Sequence, residues 1–138
     1  MTKIENVQRK YTKHIKGLQN VSYEERLNII KLPSIEYRQL RGDMIQVYKI
    51  AHNFYDPEST TSIFKFATNS RLRGHLFKIN KQFTKTSKYK KFFSNRVVNK
   101  WNGLPHEVVN AQNLNEFKNK FDNLNKDIIY STDINYYD

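Results

Sequence analysis

Cysteine is absent from the 138 residues of this chain. Its absence excludes disulfides, thiol nucleophiles and Cys-ligated zinc, and so excludes zinc knuckles and C2H2 fingers. Glycine occurs four times and proline three times. So little glycine argues against Gly-rich cofactor cradles, and no G-x-x-x-x-G-K-[ST] loop or G-x-S-x-G elbow is present. His14, His52, His75 and His106 stand far apart, without a His or carboxylate partner at helical ligand spacing. Neither a cofactor nor a metal site is expected. No apolar stretch reaches the ~18 residues a membrane span needs. The opening Met1-Thr2-Lys3-Ile4-Glu5 lacks the apolar core of a signal peptide. The expected location is intracellular, cytoplasmic or nuclear, with no membrane and no small-molecule substrate as partner.

The most informative absence is local. From Ser59 to His106 there is no Asp or Glu in 48 residues, while the same stretch carries eleven basic side chains. Outside it, 24 − 11 = 13 basic residues face 13 acidic ones, so the whole net charge of +11 sits in one continuous segment. Such a segment repels itself unless an anion neutralises it, and a phosphate backbone is the usual anion.

What is present suits a mainly α fold, a small domain of about five helices. Ile4, Val7, Tyr11 and Ile15 recur at spacings of three and four. They predict a helix over about Lys3–Lys16 with that stripe turned to the core and Gly17 as the stop. Ser22-Tyr23-Glu24-Glu25 reads as a capping box opening a short helix with Tyr23, Leu27 and Ile30 inward. Pro33 breaks the chain and Ser34 caps a long helix to about Asn53, with Tyr37, Leu40, Met44, Val47, Tyr48 and Ala51 on its inner face. Asp56-Pro57 opens a polar loop. Residues 72–86 leave room for a short β-hairpin of two strands, Leu76–Lys81 and Gln82–Thr86. A helix is predicted over Ser87–Asn102, with Phe92, Val97, Val98 and Trp101 inward, ended by Gly103 and Pro105. Asn113 caps a last helix, with Glu116 three residues on. Leu114, Phe117, Phe121 and Leu124 would be its inner face. Residues 1–125 are thus read as one basic module and 126–138 as a frayed tail.

Within the acid-free segment, Lys88-Tyr89-Lys90-Lys91-Phe92-Phe93-Ser94-Asn95-Arg96 mixes cations with aromatic rings. Cations neutralise phosphates, and exposed rings stack on unpaired bases. The candidate nucleic-acid contacts are Arg71, Arg73, His75, Lys78, Lys81, Lys85, Lys88, Lys90, Lys91, Arg96 and Lys100. His75 could equally cap the turn beside it. The rings at helical spacing are expected mainly in the core.

The order and spacing of several blocks also resemble a known family. They are Val7-Gln8-Arg9-Lys10, Ser22 to Leu27, Leu32 to Arg38, Leu40 to Ile45, Val47 to Ile50, Arg73-Gly74-His75 with Lys78, Phe92 to Pro105, and Asn115 to Asn119. This is similar to the C-terminal region of LINE-type, jockey-like non-LTR retrotransposon endonuclease–reverse transcriptases, over about residues 4–125. The resemblance implies a fragment lying downstream of the polymerase core. It also implies contact with RNA or DNA, RNA being preferred, and assigns no reaction. The parent would be an RNA-directed DNA polymerase, but Asp43, Asp56, Asp122, Asp127, Asp133 and Asp138 are scattered, and no Tyr-x-Asp-Asp hairpin exists to hold its metal ions. The expectation is a non-catalytic nucleic-acid-binding module. The alternative is a structural module docking on the reverse transcriptase thumb or another protein.

Overall fold

Residues 3–60, 62–67, 74–82, 89 and 91–134 are described by the computed structural model. They are mainly helical: α1 (Lys3–Lys13), α2 (Tyr23–Ile29), α3 (Ile35–Ala51), α4 (Pro57–Thr60), α5 (Phe93–Asn102), α6 (His106–Val109) and α7 (Leu114–Leu124), with a 3-10 turn at Lys126–Ile128. Contacts divide the chain into two compact units, Met1–Arg41 with Leu124–Ile134, and Gly42–Asn123. The sequence suggested one module over 1–125.

Local capping chemistry sets the helix boundaries. Ser22 and Glu25 form the reciprocal capping box of α2. Ser34 Oγ accepts from Tyr37 N at 3.1 Å to open α3, and Asn113 Oδ1 accepts from Glu116 N at 2.9 Å to open α7. Both α2 and α3 end through a left-handed residue, Lys31 at φ 54 and Asn53 at φ 56. Each is followed by a reach-back hydrogen bond, Leu32 N to Leu27 O and Phe54 N to Lys49 O. Pro57 occupies the first position of α4, where its missing N–H costs nothing. The polar loop expected after Asp56 is therefore one helical turn at its start.

In the first unit α1 is turned the opposite way from its apolar stripe. Ile4, Val7, Tyr11 and Ile15 are 64%, 54%, 72% and 41% exposed, whereas Glu5 and Thr12 are buried. Polar partners supplied by α2 and α3 explain the inversion. Glu5 Oε1 accepts from the Tyr23 hydroxyl at 2.6 Å, and Glu5 Oε2 accepts from Ile35 N, the first amide of α3, at 3.0 Å. A carboxylate there also meets the positive end of the α3 dipole. Arg26 donates to Thr12 Oγ1, Val21 O and Arg9 O. The Arg9 guanidinium lies 4.6 Å from the centre of the Tyr23 ring. Burial, then the hydrogen bond to Glu5, raises the Tyr23 phenol well above its usual range. A buried polar group is tolerable only when its partners are present, and here they outrank the apolar stripe.

Residues 126–134 are not frayed. Ser34 N donates to Ile129 O at 3.0 Å, Thr132 N and Oγ1 donate to Glu24 Oε1, and Ile134 N donates to Glu36 Oε2. Backbone groups paired in this way hold the segment on the first unit. Residues 135–138 of the expected tail lie outside the described residues.

The core of the second unit is aromatic. Trp101, Tyr48, Phe117 and Phe121 are buried with Met44, Val47, Val97, Val98 and Val109. Tyr48 stacks on Phe117 at 4.4 Å, and its hydroxyl donates to Ala111 O at 2.7 Å, so its polar end is satisfied. The 74–80 stretch pairs differently from the predicted hairpin. It meets residues 65–67, through Ala67 N to Lys78 O and Asn80 N to Lys65 O, as an isolated antiparallel bridge between Phe66 and Ile79. Of the second predicted strand, residues 83–86 lie outside the described residues. Asn102 clamps the stretch to α5 by accepting from Ile79 N and donating to Ile79 O, both at 2.8 Å. Trp101 Nε1 donates to Phe77 O at 2.7 Å. Side chains of α5 therefore take the place of a second strand.

Candidate nucleic-acid interface

Of the eleven predicted contacts, Arg71, Arg73, Lys85, Lys88 and Lys90 lie outside the described residues. The other six divide into three groups by environment.

His75 is a core residue. It is 1% exposed, its Nε2 donates to Trp101 O at 3.0 Å, and its ring meets the Trp101 indole edge-on at 5.6 Å. Its Nδ1 is buried without a hydrogen-bond partner among the described residues. Burial lowers the imidazole pKa, with Lys78 and His106 adding repulsion against the Trp101 hydrogen bond. A neutral, enclosed ring does not reach phosphate, which corrects the sequence expectation for this residue.

Arg96 is occupied by protein. Nε donates to Asp43 Oδ2 at 2.6 Å, Nη2 to Asp43 Oδ1 at 2.9 Å, and Nη1 to Lys91 O at 2.9 Å. Its charge is neutralised by α3, and it fixes the start of α5, so its predicted role as a phosphate contact is also corrected.

Lys78, Lys81, Lys91 and Lys100 remain as cations that an anion can meet. Lys91 and Lys81 are exposed, and Lys81 Nζ donates to Asn99 Oδ1 at 3.2 Å on the outer side of α5. Lys78 and Lys100 are half-buried, and burial lowers the Lys100 pKa.

The clearest local arrangement is at the head of α5. This helix has no acidic residue in its first turn and no side-chain cap. Its own first turn thus supplies no carboxylate to its first amides, and the Asp43 carboxylate that reaches this end from α3 is paired with Arg96. Exposed Lys91 falls in sequence between two exposed aromatic residues, Tyr89 at 56% and Phe92 at 57%, whose rings meet with centroids 5.5 Å apart. The sequence placed Phe92 in the core. Helix α5 instead buries Val97, Val98 and Trp101, which leaves the ring one turn earlier facing solvent.

Sequence reasoning also missed a cleft on the same unit. It is a cavity of about 460 Å³ lined by Asp43, Gln46, Ile50, Tyr55, Thr60, Ile63, Phe93 and Arg96. No local pattern announces it, because its walls come from four separate stretches of chain. Among the described residues there is no cluster of three or more His, Asp or Glu that could hold a metal ion. Nor is any helix of the described residues long and apolar enough to cross a membrane.

No family profile, curated protein or solved structure matches the chain.

Proposed function

We propose that the chain is a non-catalytic nucleic-acid-binding module that takes unpaired RNA in preference to DNA, and that it derives from the C-terminal region of a non-LTR retrotransposon reverse transcriptase. The observation that carries the binding reading is the exposed Tyr89–Phe92 pair next to the exposed Lys91, at a helix whose own first turn has no acidic residue. Cations attract a phosphate backbone regardless of sequence, and exposed rings add base stacking, which a duplex offers less readily than a single strand. The acid-free run from Ser59 to His106 supports the same reading. The origin rests on the order and spacing of the blocks between residues 4 and 125.

The test is binding of the whole chain to labelled single-stranded RNA, duplex RNA and duplex DNA across a salt series. Five engaged phosphates on a single strand give a logarithmic slope of about −3.5, at ~0.7 per phosphate. Changing Lys88, Lys90 and Lys91 to Glu should abolish that binding. A binding constant flat across salt would overturn the reading.

A second reading, a module that docks on the polymerase core or another protein, draws on the outward apolar face of α1. A contiguous apolar strip of this kind commonly marks a protein contact. It predicts that the isolated chain self-associates. A monomer at high concentration counts against it.

A further inference from the structure

We infer that the cleft between α3, α4 and the start of α5 receives a single unpaired nucleobase. This rests on the nucleic-acid reading above and adds a site to it. The cavity, about 460 Å³, falls within the ~300–1,000 Å³ of small-molecule sites and exceeds what one flat base fills. Its lining is largely apolar and carries two aromatic rings, Tyr55 from the loop after α3 and Phe93 from the first turn of α5. Phe93 is held in place by Phe64, with centroids 5.4 Å apart, and the Arg96 guanidinium lies 5.8 Å from the centre of its ring. Rings fixed in this way offer a π face to an incoming base without first being ordered.

The polar groups fit the edge of a base. The Tyr55 hydroxyl donates to Gln46 Oε1 at 2.8 Å, which orients the amide and leaves its nitrogen as a donor at the wall. Asp43 and Arg96 satisfy each other at the same wall, so the cleft presents little net charge of its own. That favours a neutral base over a phosphate inside it. A cation stands at its border: Lys49 Nζ lies 5.9 Å from the centre of the Tyr55 ring. The Lys91 backbone adjoins the same wall, its carbonyl accepting from Arg96 at 2.9 Å. A neutral ring inside with an anionic backbone at the border is the charge distribution of a nucleotide held in a single strand.

The experiment uses the full chain and a single-stranded oligonucleotide carrying one 2-aminopurine, whose fluorescence is quenched on stacking. Tyr55→Leu and Phe93→Leu are compared with Lys91→Gln, and N-acetyltryptophanamide is the competitor. Tyr55 is exposed, so its variant is expected to fold even where Phe93→Leu is weakened. The expected result is loss of the quench and about a tenfold weaker binding in each aromatic variant, with the salt slope unchanged. Lys91→Gln should lower the slope and keep the quench. Salt-dependent binding that ignores both aromatic variants overturns the base site and leaves the phosphate reading intact. No binding to any oligonucleotide at low salt overturns both. Tighter occupation of the cleft by the tryptophan derivative than by the oligonucleotide overturns it in favour of a protein ligand.

Discussion

Arg96 and Asp43, 53 residues apart in sequence, meet in a two-pronged ion pair at 2.6 and 2.9 Å. The pair ties the start of α5 to α3 within the second unit. It also shows why an acid-free run of sequence overstates the charge available to a ligand, since the acid that neutralises Arg96 comes from outside the run. Removing one member leaves a partly enclosed charge without its partner. Asp43→Ala is expected to cost about 2 kcal/mol of unfolding free energy, less than for a fully buried pair because water reaches the site. Joint replacement of both residues by Leu should cost less than the sum of the two single changes, as urea unfolding of the four-member cycle would show.

Arg96 should also be silent in nucleic-acid binding. With every guanidinium nitrogen bonded to protein, Arg96→Gln is expected to leave the salt slope of binding unchanged, after allowance for any loss of folded chain. Lys91→Gln should reduce the slope by about 0.7 on a single strand. An equal reduction in both variants would contradict the assignment of Arg96 to structure.

Glu5 makes the strongest prediction in the first unit. It is fully buried on α1, accepts from Tyr23 and Ile35, and faces the start of α3. Glu5→Ala strands the Tyr23 hydroxyl and the Ile35 amide, and should cost about 3 kcal/mol. By contrast, Tyr11→Lys on the opposite face should change stability by no more than about 0.5 kcal/mol. If that face drives association, Tyr11→Lys should also shift sedimentation toward monomer.

These two residues show what the sequence could and could not convey. Where local chemistry decides, the reading succeeds: the Ser22–Glu25 capping box, the Ser34 and Asn113 caps, and the inner face of α3 from Tyr37 to Ala51 all fall where periodicity and capping rules put them. Where a distant partner decides, it fails. The stripe on α1 is a genuine helical signal, but nothing at residue 5 reveals that Tyr23 and Ile35 will bury its carboxylate. The triplet around His75 could not show that Trp101 O would take its Nε2. Asn102 could not be recognised as a substitute strand partner for Ile79. In the candidate interface, the cations and rings were legible as residue types. Their sorting into Arg96 and His75 inside, and Lys91, Tyr89 and Phe92 outside, required the tertiary structure.

His75 gives the chain a defined pH response. Burial lowers its pKa in the folded state below the ordinary 6.5, helped by Lys78 and His106 and opposed by the hydrogen bond to Trp101 O. Between the folded value and 6.5 the unfolded chain binds more protons than the folded one. Unfolding free energy therefore rises with pH through that window. The contribution is fully present above 6.5 and is lost as the solution is acidified toward the folded value. Urea unfolding at pH 7.5 and pH 5 should show a larger loss on acidification for the native chain than for His75→Gln, whatever the variant costs at neutral pH. Equal losses would mean that the ring protonates as readily in the fold as outside it, and would put His75 back at the surface where a phosphate could reach it.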